Sequence, residues 1–122
     1  MAVARYIVDD VDEALTFYTE VLGFELVKRW GPPFASIGKD DLQLWISGPG
    51  TSARKAMPGG EDPAPGGWNR IVVEVADLEA VVAELRSRGA TFRNEPLEGP
   101  GGTQVLIEDP SGNPIEVFQP AS

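Results

Sequence analysis

Apolar and polar residues follow the same order twice along this chain: a strand-like run, an amphipathic helix and then further strands. In the first half, a β-like run over 3–8 precedes a predicted helix that starts at Asp10 and ends at Gly23. Asp10 with Glu13 three residues later is typical of a capping box, and glycine is the usual helix end. Strands are predicted over 24–29, 34–37 and 42–46. One helix face is apolar, with the spacing of successive turns: Val11, Ala14, Leu15, Tyr18 and Leu22.

The second half repeats this order. A strand is predicted over 70–75, then a helix capped by Asp77 and ended by Gly89, then strands near 91–92, 104–108 and 114–118. The segment 109–113, Asp-Pro-Ser-Gly-Asn, predicts a turn before the last strand. Two copies favour a duplicated module over a repeat array. The apolar face of the second helix consists of Leu78, Val81, Val82 and Leu85.

The segment that joins the halves, 47–68, is dense in glycine and proline. It is longer than an ordinary connection, and loops of this length are linkers or functional lids. Each half alone is small for an independent core. We therefore predict one domain over 1–122, with module one at about 1–47, the loop at 47–68 and module two at about 69–122.

Composition excludes several classes of function. The chain has no cysteine and no histidine, which excludes disulfides, thiol nucleophiles and Ser-His or Cys-His pairs. A net charge of −9 argues against nucleic-acid binding, and it would attract a cationic small molecule or simply keep the protein soluble. No apolar run approaches the roughly 20 residues of a membrane span, so no membrane association and a cytoplasmic location are expected.

Three segments, 10–26, 71–78 and 109–118, resemble the vicinal oxygen chelate superfamily. This superfamily contains glyoxalase I, extradiol dioxygenases and the bleomycin-resistance proteins. The resemblance covers nearly the whole chain. It implies an α+β fold of paired βαβββ modules that form a cupped mixed β-sheet with the helices on its outer face.

Metal-dependent members of that superfamily hold their ion at four points. By resemblance these fall near Val3, Gln43, Arg70 and Glu116. Only Glu116 keeps a strong ligand type, whereas Arg70 brings a fixed positive charge where a divalent ion needs imidazole, thiolate or carboxylate donors. We therefore predict a vestigial site with no metal and no cofactor, in which Arg70 pairs with Glu116.

Alternation along the strands predicts which side chains the cupped sheet would present to a ligand. If Gln43 and Glu116 face inward, so do Trp45 and Phe118 two residues later. Aromatic side chains with a few polar groups suit a planar, partly polar organic molecule. The predicted ligand-binding residues are Trp30, Phe34, Gln43, Trp45, Trp68, Asn69, Arg70, Glu116 and Phe118.

Three functions follow. The first hypothesis is a metal-free small-molecule binding protein that sequesters an aromatic or cationic antibiotic, with no catalytic residues. The resemblance to bleomycin-resistance proteins implies this function and a homodimer. The alternative is a glyoxalase-like, metal-dependent lyase or isomerase, or a dioxygenase-type enzyme, that uses Glu116, Gln43 and Glu74. The third is a regulatory or structural module with a collapsed cup. The sequence does not identify the ligand.

Overall fold

The computed structural model describes residues 2–122 and divides the chain into two compact units, each with its own mixed β-sheet and one α-helix. Unit one comprises the chain up to Gly66 together with Pro110–Asn113; unit two comprises Gly67–Asp109 and Pro114–Ser122. The α+β class is confirmed. In the described residues the strands are β1 (Ala4–Ile7), β2 (Glu25–Trp30), β3 (Phe34–Lys39), β4 (Leu42–Ser47), β5 (Ile71–Glu74), β6 (Thr91–Phe92), β7 (Leu97–Gly99), β8 (Gly102–Glu108) and β9 (Pro114–Pro120), and the α-helices are α1 (Val11–Thr16) and α2 (Leu78–Ser87).

The sheet of unit one has the strand order β1-β4-β3-β2. β1 runs parallel to β4, and the other pairs are antiparallel. Alternation along β4 sends Leu44 and Ile46 into the core with the residues of α1, and sends Gln43 and Trp45 to the opposite face. That opposite face carries the candidate-site side chains of unit one.

The first helix starts as predicted but does not continue as an α-helix to Gly23. The Asp10 carboxylate accepts a hydrogen bond from the Glu13 backbone at 3.0 Å, and α1 then passes into a π-helical turn over Phe17–Val21. The wider turn lets the adjacent Phe17 and Tyr18 both reach the core. The predicted α-helical face included Tyr18 but not Phe17.

Unit two repeats this topology with the strand order β5-β9-β8-β6, and β5 runs parallel to β9. A short strand that the sequence pattern did not predict, β7, pairs with β8. Asp77 caps α2 through a hydrogen bond from the Ala80 backbone at 3.1 Å. Of its predicted apolar face, Leu78, Val82 and Leu85 are buried and Val81 is half-buried. Among residues 2–122, no helix is long and apolar enough to cross a membrane.

Hydrogen bonds attach the glycine- and proline-rich segment 47–68 to unit one in its middle and near its C-terminal end. Arg54 donates from Nη1 to the Val8 carbonyl oxygen at 2.8 Å. Near the other end, the Gly66 backbone donates to Oδ1 of Asn113 at 2.8 Å, and Nδ2 of Asn113 donates to the Ile7 carbonyl at 2.7 Å. The predicted turn at 109–113 therefore also contributes a buried amide that links this segment to β1.

Candidate functional site

Three of the predicted aromatic residues form one cluster on the sheet face of unit one. The rings of Trp30 and Phe34 lie 5.1 Å apart between centroids, and those of Phe34 and Trp45 lie 5.7 Å apart, nearly edge to face. Trp30 is directly opposite Phe34 in the β2–β3 pairing. Trp30 is 46% exposed, so the cluster is open to a ligand at this end.

Arg5 lies over this aromatic cluster. Its guanidinium carbon is 5.1 Å from the ring centroid of Trp45 and 5.9 Å from that of Phe34. Its Nη1 donates to Oγ of the fully buried Ser47 at 3.1 Å. Arg5 was not among the predicted ligand-binding residues. The signal that could have found it is strand alternation, which puts Arg5 on the same face as Val3 two residues earlier.

A single cross-strand row joins Arg5 to Lys28. Arg5 pairs with Trp45, Trp45 with Ser36, and Ser36 with Lys28, so one side chain from each strand lies in this row. The ammonium nitrogen of Lys28 is 5.0 Å from the ring centroid of Trp30. The row brings a cation to each side of the aromatic cluster.

Ser36 is the unusual member of this row. It is 2% exposed, and within residues 2–122 its Oγ has no hydrogen-bond partner. A buried hydroxyl left unpaired costs roughly 1–3 kcal/mol relative to a paired one. Relative to the described residues, the Ser36 hydroxyl is therefore an unused donor and acceptor on this sheet face.

Gln43 lies two residues before Trp45 on the same face and lines a cavity of about 480 Å³. Opposite Gln43 in the strand pairing is Gly38, whose missing side chain leaves room beside Val27. The wall is strongly acidic near the β3–β4 turn. The lining residues are Gly23, Glu25, Val27, Gly38, Lys39, Asp40, Asp41, Leu42 and Gln43.

In unit two, the structure contains the predicted ion pair between Arg70 and Glu116. Nε and Nη2 of Arg70 both donate to Oε1 of Glu116, at 3.0 and 2.9 Å. The Glu116 side chain is only 11% exposed and that of Arg70 is 27% exposed. Both groups are therefore partly desolvated, and neither is left without an opposite charge.

Trp68 lies beside this ion pair, since Nη1 of Arg70 donates to its carbonyl oxygen at 3.3 Å. The indole is 69% exposed, and the guanidinium carbon of Arg93 lies 4.7 Å from its centroid. Arg93 is held by Oε2 of Glu108 at 2.8 Å and by the Gly67 carbonyl at 2.7 Å. Arg93 was not among the predicted site residues, because no local sequence pattern links it to Trp68, which is distant in the chain.

The two remaining predicted residues of unit two are less closely connected. Asn69 is exposed and lies between Trp68 and Arg70 in the chain. Phe118 follows Glu116 by two residues on the same strand face, and its half-buried ring packs against the backbone of Gly102. A side chain at Gly102 would collide first with the backbone carbonyl oxygen of Gln119 and then with that ring, so this position requires glycine.

The residues at the predicted metal points do not fit a metal ion. In unit one, Val3 has no donor atom and Gln43 offers one amide. In unit two, the carboxylate of Glu116 already accepts two hydrogen bonds from the permanently charged Arg70. Within residues 2–122 there is no group of three or more Asp, Glu, His or Cys that could hold an ion.

Comparison with known proteins identifies the family. The model of the Glyoxalase/Bleomycin resistance protein/Dioxygenase superfamily matches residues 1–117, and the chain belongs to this superfamily. The probable lactoylglutathione lyase of Synechocystis sp. is 28% identical over 124 residues, which covers 94% of this chain and 91% of that protein.

Solved structures agree on the fold. The crystal structure of TnmS3, an antibiotic binding protein from Streptomyces sp. CB03234, matches with a TM-score of 0.72 at 25% identity, over 99% of this chain and 97% of that one. Virulence protein STM3117 of Salmonella typhimurium matches with a TM-score of 0.79 at 22% identity, over 99% and 96% of the chains. Relatives thus include a lyase and an antibiotic binder, and membership alone selects neither function.

Proposed function

We propose that this protein binds a planar aromatic small molecule of the antibiotic type and holds it without converting it. The observation that carries the proposal is the open cluster of Trp30, Phe34 and Trp45 on one sheet face. Aromatic rings with few polar neighbours are what pockets use to bind flat organic molecules. The antibiotic-binding relative TnmS3 supports the proposal that this protein binds a small molecule.

The chemistry of the described side chains supports binding over catalysis. The carboxylate best placed to act as a base, Glu116, is engaged by Arg70. The chain has no histidine or cysteine to serve as an alternative base or nucleophile. Sequestration needs none of these groups; it needs only affinity.

Tryptophan fluorescence tests the proposal directly. We expect 2-(hydroxymethyl)anthraquinone, a neutral three-ring probe, to quench the emission of the protein in a saturable, stoichiometric way. A Trp30→Phe, Trp45→Phe double variant should lose most of this quenching, and Trp68→Phe should retain it. Absence of saturable quenching at millimolar probe would overturn aromatic binding.

The enzyme alternative rests on the lyase relative, and a separate assay addresses it. We expect no turnover of the hemithioacetal of methylglyoxal and glutathione, with or without added Zn²⁺, Ni²⁺ or Mn²⁺. We also expect no divalent ion to remain with the protein at stoichiometric level after dialysis. Metal-dependent turnover that chelator abolishes would replace the binding proposal with the glyoxalase-like enzyme.

The proposal includes a homodimer. β2 is an edge strand whose residues are all exposed, among them Leu26 at 52% and Val27 at 56%. Exposed apolar side chains such as these favour burial against a second copy of the chain. Sedimentation velocity at tens of micromolar should show a dimer, and Val27→Lys should shift it toward monomer. A monomer throughout that concentration range would contradict this part of the proposal.

A further inference from the structure

Arg5 differs from every other arginine of the chain in its charge environment. Each of the others forms an ion pair with Asp or Glu: Arg29, Arg54, Arg70, Arg86, Arg88 and Arg93. Within residues 2–122, Arg5 forms no ion pair, although the chain has 19 acidic residues. A lone guanidinium in so acidic a protein is a feature that requires an explanation.

The donors of Arg5 are largely unused. A guanidinium carries five N–H donors in a rigid, planar fork, and Ser47 accepts from one of its nitrogens at 3.1 Å. The ring centroids of Trp45 and Phe34 lie 5.1 and 5.9 Å from the guanidinium carbon of this exposed residue. A hydrogen bond and two ring contacts thus position the side chain, while its remaining donors have no protein acceptor in the described chain.

The same row of the sheet supplies two more groups for an anionic oxygen. Lys28, at the far end of the row, also forms no ion pair with any described residue. Between them, the buried Ser36 hydroxyl has no partner among the described residues and retains a proton that it can donate to an oxygen. Two cations and an unpaired hydroxyl therefore lie in one row through the aromatic cluster.

From this arrangement we infer that unit one binds the acidic end of an aromatic molecule, with a carboxylate, phenolate or sulfonate oxygen on Arg5 and the ring system on Trp30, Phe34 and Trp45. The inference rests on the proposed function and narrows it, since the net charge of −9 by itself would favour a cationic ligand. The local guanidinium decides the preference, because a charge-assisted hydrogen bond acts at contact whereas distant surface charges are screened by salt.

Three anthraquinones that differ in one substituent test the inference. Anthraquinone-2-carboxylate, 2-(hydroxymethyl)anthraquinone and 2-(aminomethyl)anthraquinone offer a negative, a neutral and a positive group on the same ring system. In fluorescence titrations at pH 7 and physiological salt, we expect the carboxylate to bind roughly ten- to a hundredfold more tightly than the neutral probe, the range of a hydrogen bond to a charged group.

Variants of Arg5 assign the preference to this residue. Arg5→Gln should reduce carboxylate affinity about tenfold or more and leave the affinity of the neutral probe within about twofold. Arg5→Lys keeps the charge and should retain a clear preference for the carboxylate. Arg88→Gln makes the same change in net charge at the C-cap of α2 and should alter neither affinity. A cooperative urea unfolding transition in each variant establishes that it folds.

Equal affinity for the three probes, or a preference for the amine, overturns the inference and leaves aromatic binding intact. A carboxylate preference that persists in Arg5→Gln also overturns it, because the anion then lies elsewhere. Failure of all three probes to bind overturns both the inference and the proposed function, so the two failures are distinguishable.

Discussion

Nη1 of Arg5 donates a hydrogen bond to Oγ of Ser47 across the parallel β1–β4 pair, at 3.1 Å. Ser47 is fully buried, so its hydroxyl has few alternatives to this bond. Ser36, on the neighbouring strand β3, is also buried, yet its hydroxyl has no partner in the described chain. The hydroxyl of Ser47 therefore stabilises the fold, whereas that of Ser36 destabilises it. Substituting each serine with alanine tests this difference.

We expect Ser36→Ala to leave the free energy of unfolding unchanged or to raise it by about 1 kcal/mol, because it removes an unpaired buried hydroxyl. We expect Ser47→Ala to lower it by about 1 kcal/mol, because Arg5 loses its acceptor. Urea unfolding measures both. A loss of stability in Ser36→Ala as large as that in Ser47→Ala would mean that Ser36 makes a hydrogen bond after all.

Trp45 should contribute stacking energy to binding. We expect Trp45→Ala to weaken the aromatic probe by roughly 1–3 kcal/mol, the usual contribution of an aromatic anchor. Phe92→Leu, an aromatic change in unit two, serves as the control and should leave the affinity unchanged. Calorimetric titration reports affinity without relying on tryptophan emission. Wild-type affinity in Trp45→Ala would remove this residue from the site.

Arg70 and Glu116 should depend on each other for stability. We expect Arg70→Gln and Glu116→Gln each to cost about 1–3 kcal/mol, since each leaves a partly buried group without its partner. The double variant should cost less than the sum of the two. Urea unfolding of the four proteins forms the cycle, and additive costs would show that the ion pair contributes nothing to stability.

The exposed pair of Glu84 on α2 and Arg88 at its C-cap, one turn apart, is the matched comparison for that cycle. Its side chains are 61% and 46% exposed, so water and salt screen the interaction. We expect a coupling of only about 0.3–0.5 kcal/mol there. A coupling at this surface pair equal to that of Arg70 and Glu116 would contradict a role for burial.

Arg93 should restrict the motion of Trp68. In a background with Trp30→Phe and Trp45→Phe, Trp68 is the remaining tryptophan, and its fluorescence anisotropy decay reports its motion. We expect Arg93→Gln to speed this decay, because the indole loses a stacked cation and the Gly67 carbonyl loses its donor. Arg86→Gln, which removes a similar contact over Phe92, should leave the decay unchanged. Equal decays in Arg93→Gln and the parent would mean that Trp68 is held by other contacts.

Much of the local structure was predictable because its causes are local. The capping carboxylates of Asp10 and Asp77, the apolar face of α2 and the alternation of Gln43 with Trp45 are all consequences of the periods of helix and strand. The π-helical turn at Phe17–Val21 was not predicted. A π-turn adds one residue to an α-helix, and the spacing of the apolar residues along the sequence changes too little to reveal it. The short β7 was not predicted because its stability comes from pairing with β8 rather than from its own residues.

The features of the candidate site likewise fall into those that the sequence predicts and those that only the structure reveals. The sequence by itself determined the family, the module order, the absence of histidine and cysteine, and the partnership of Arg70 with Glu116. Only the tertiary structure decided that Arg5 lies over Trp45, that Arg93 lies over Trp68, and that Ser36 is buried without a partner among the described residues. These contacts join residues far apart in the chain, and strand register and side-chain packing set them; neither is encoded in the pattern of any one segment.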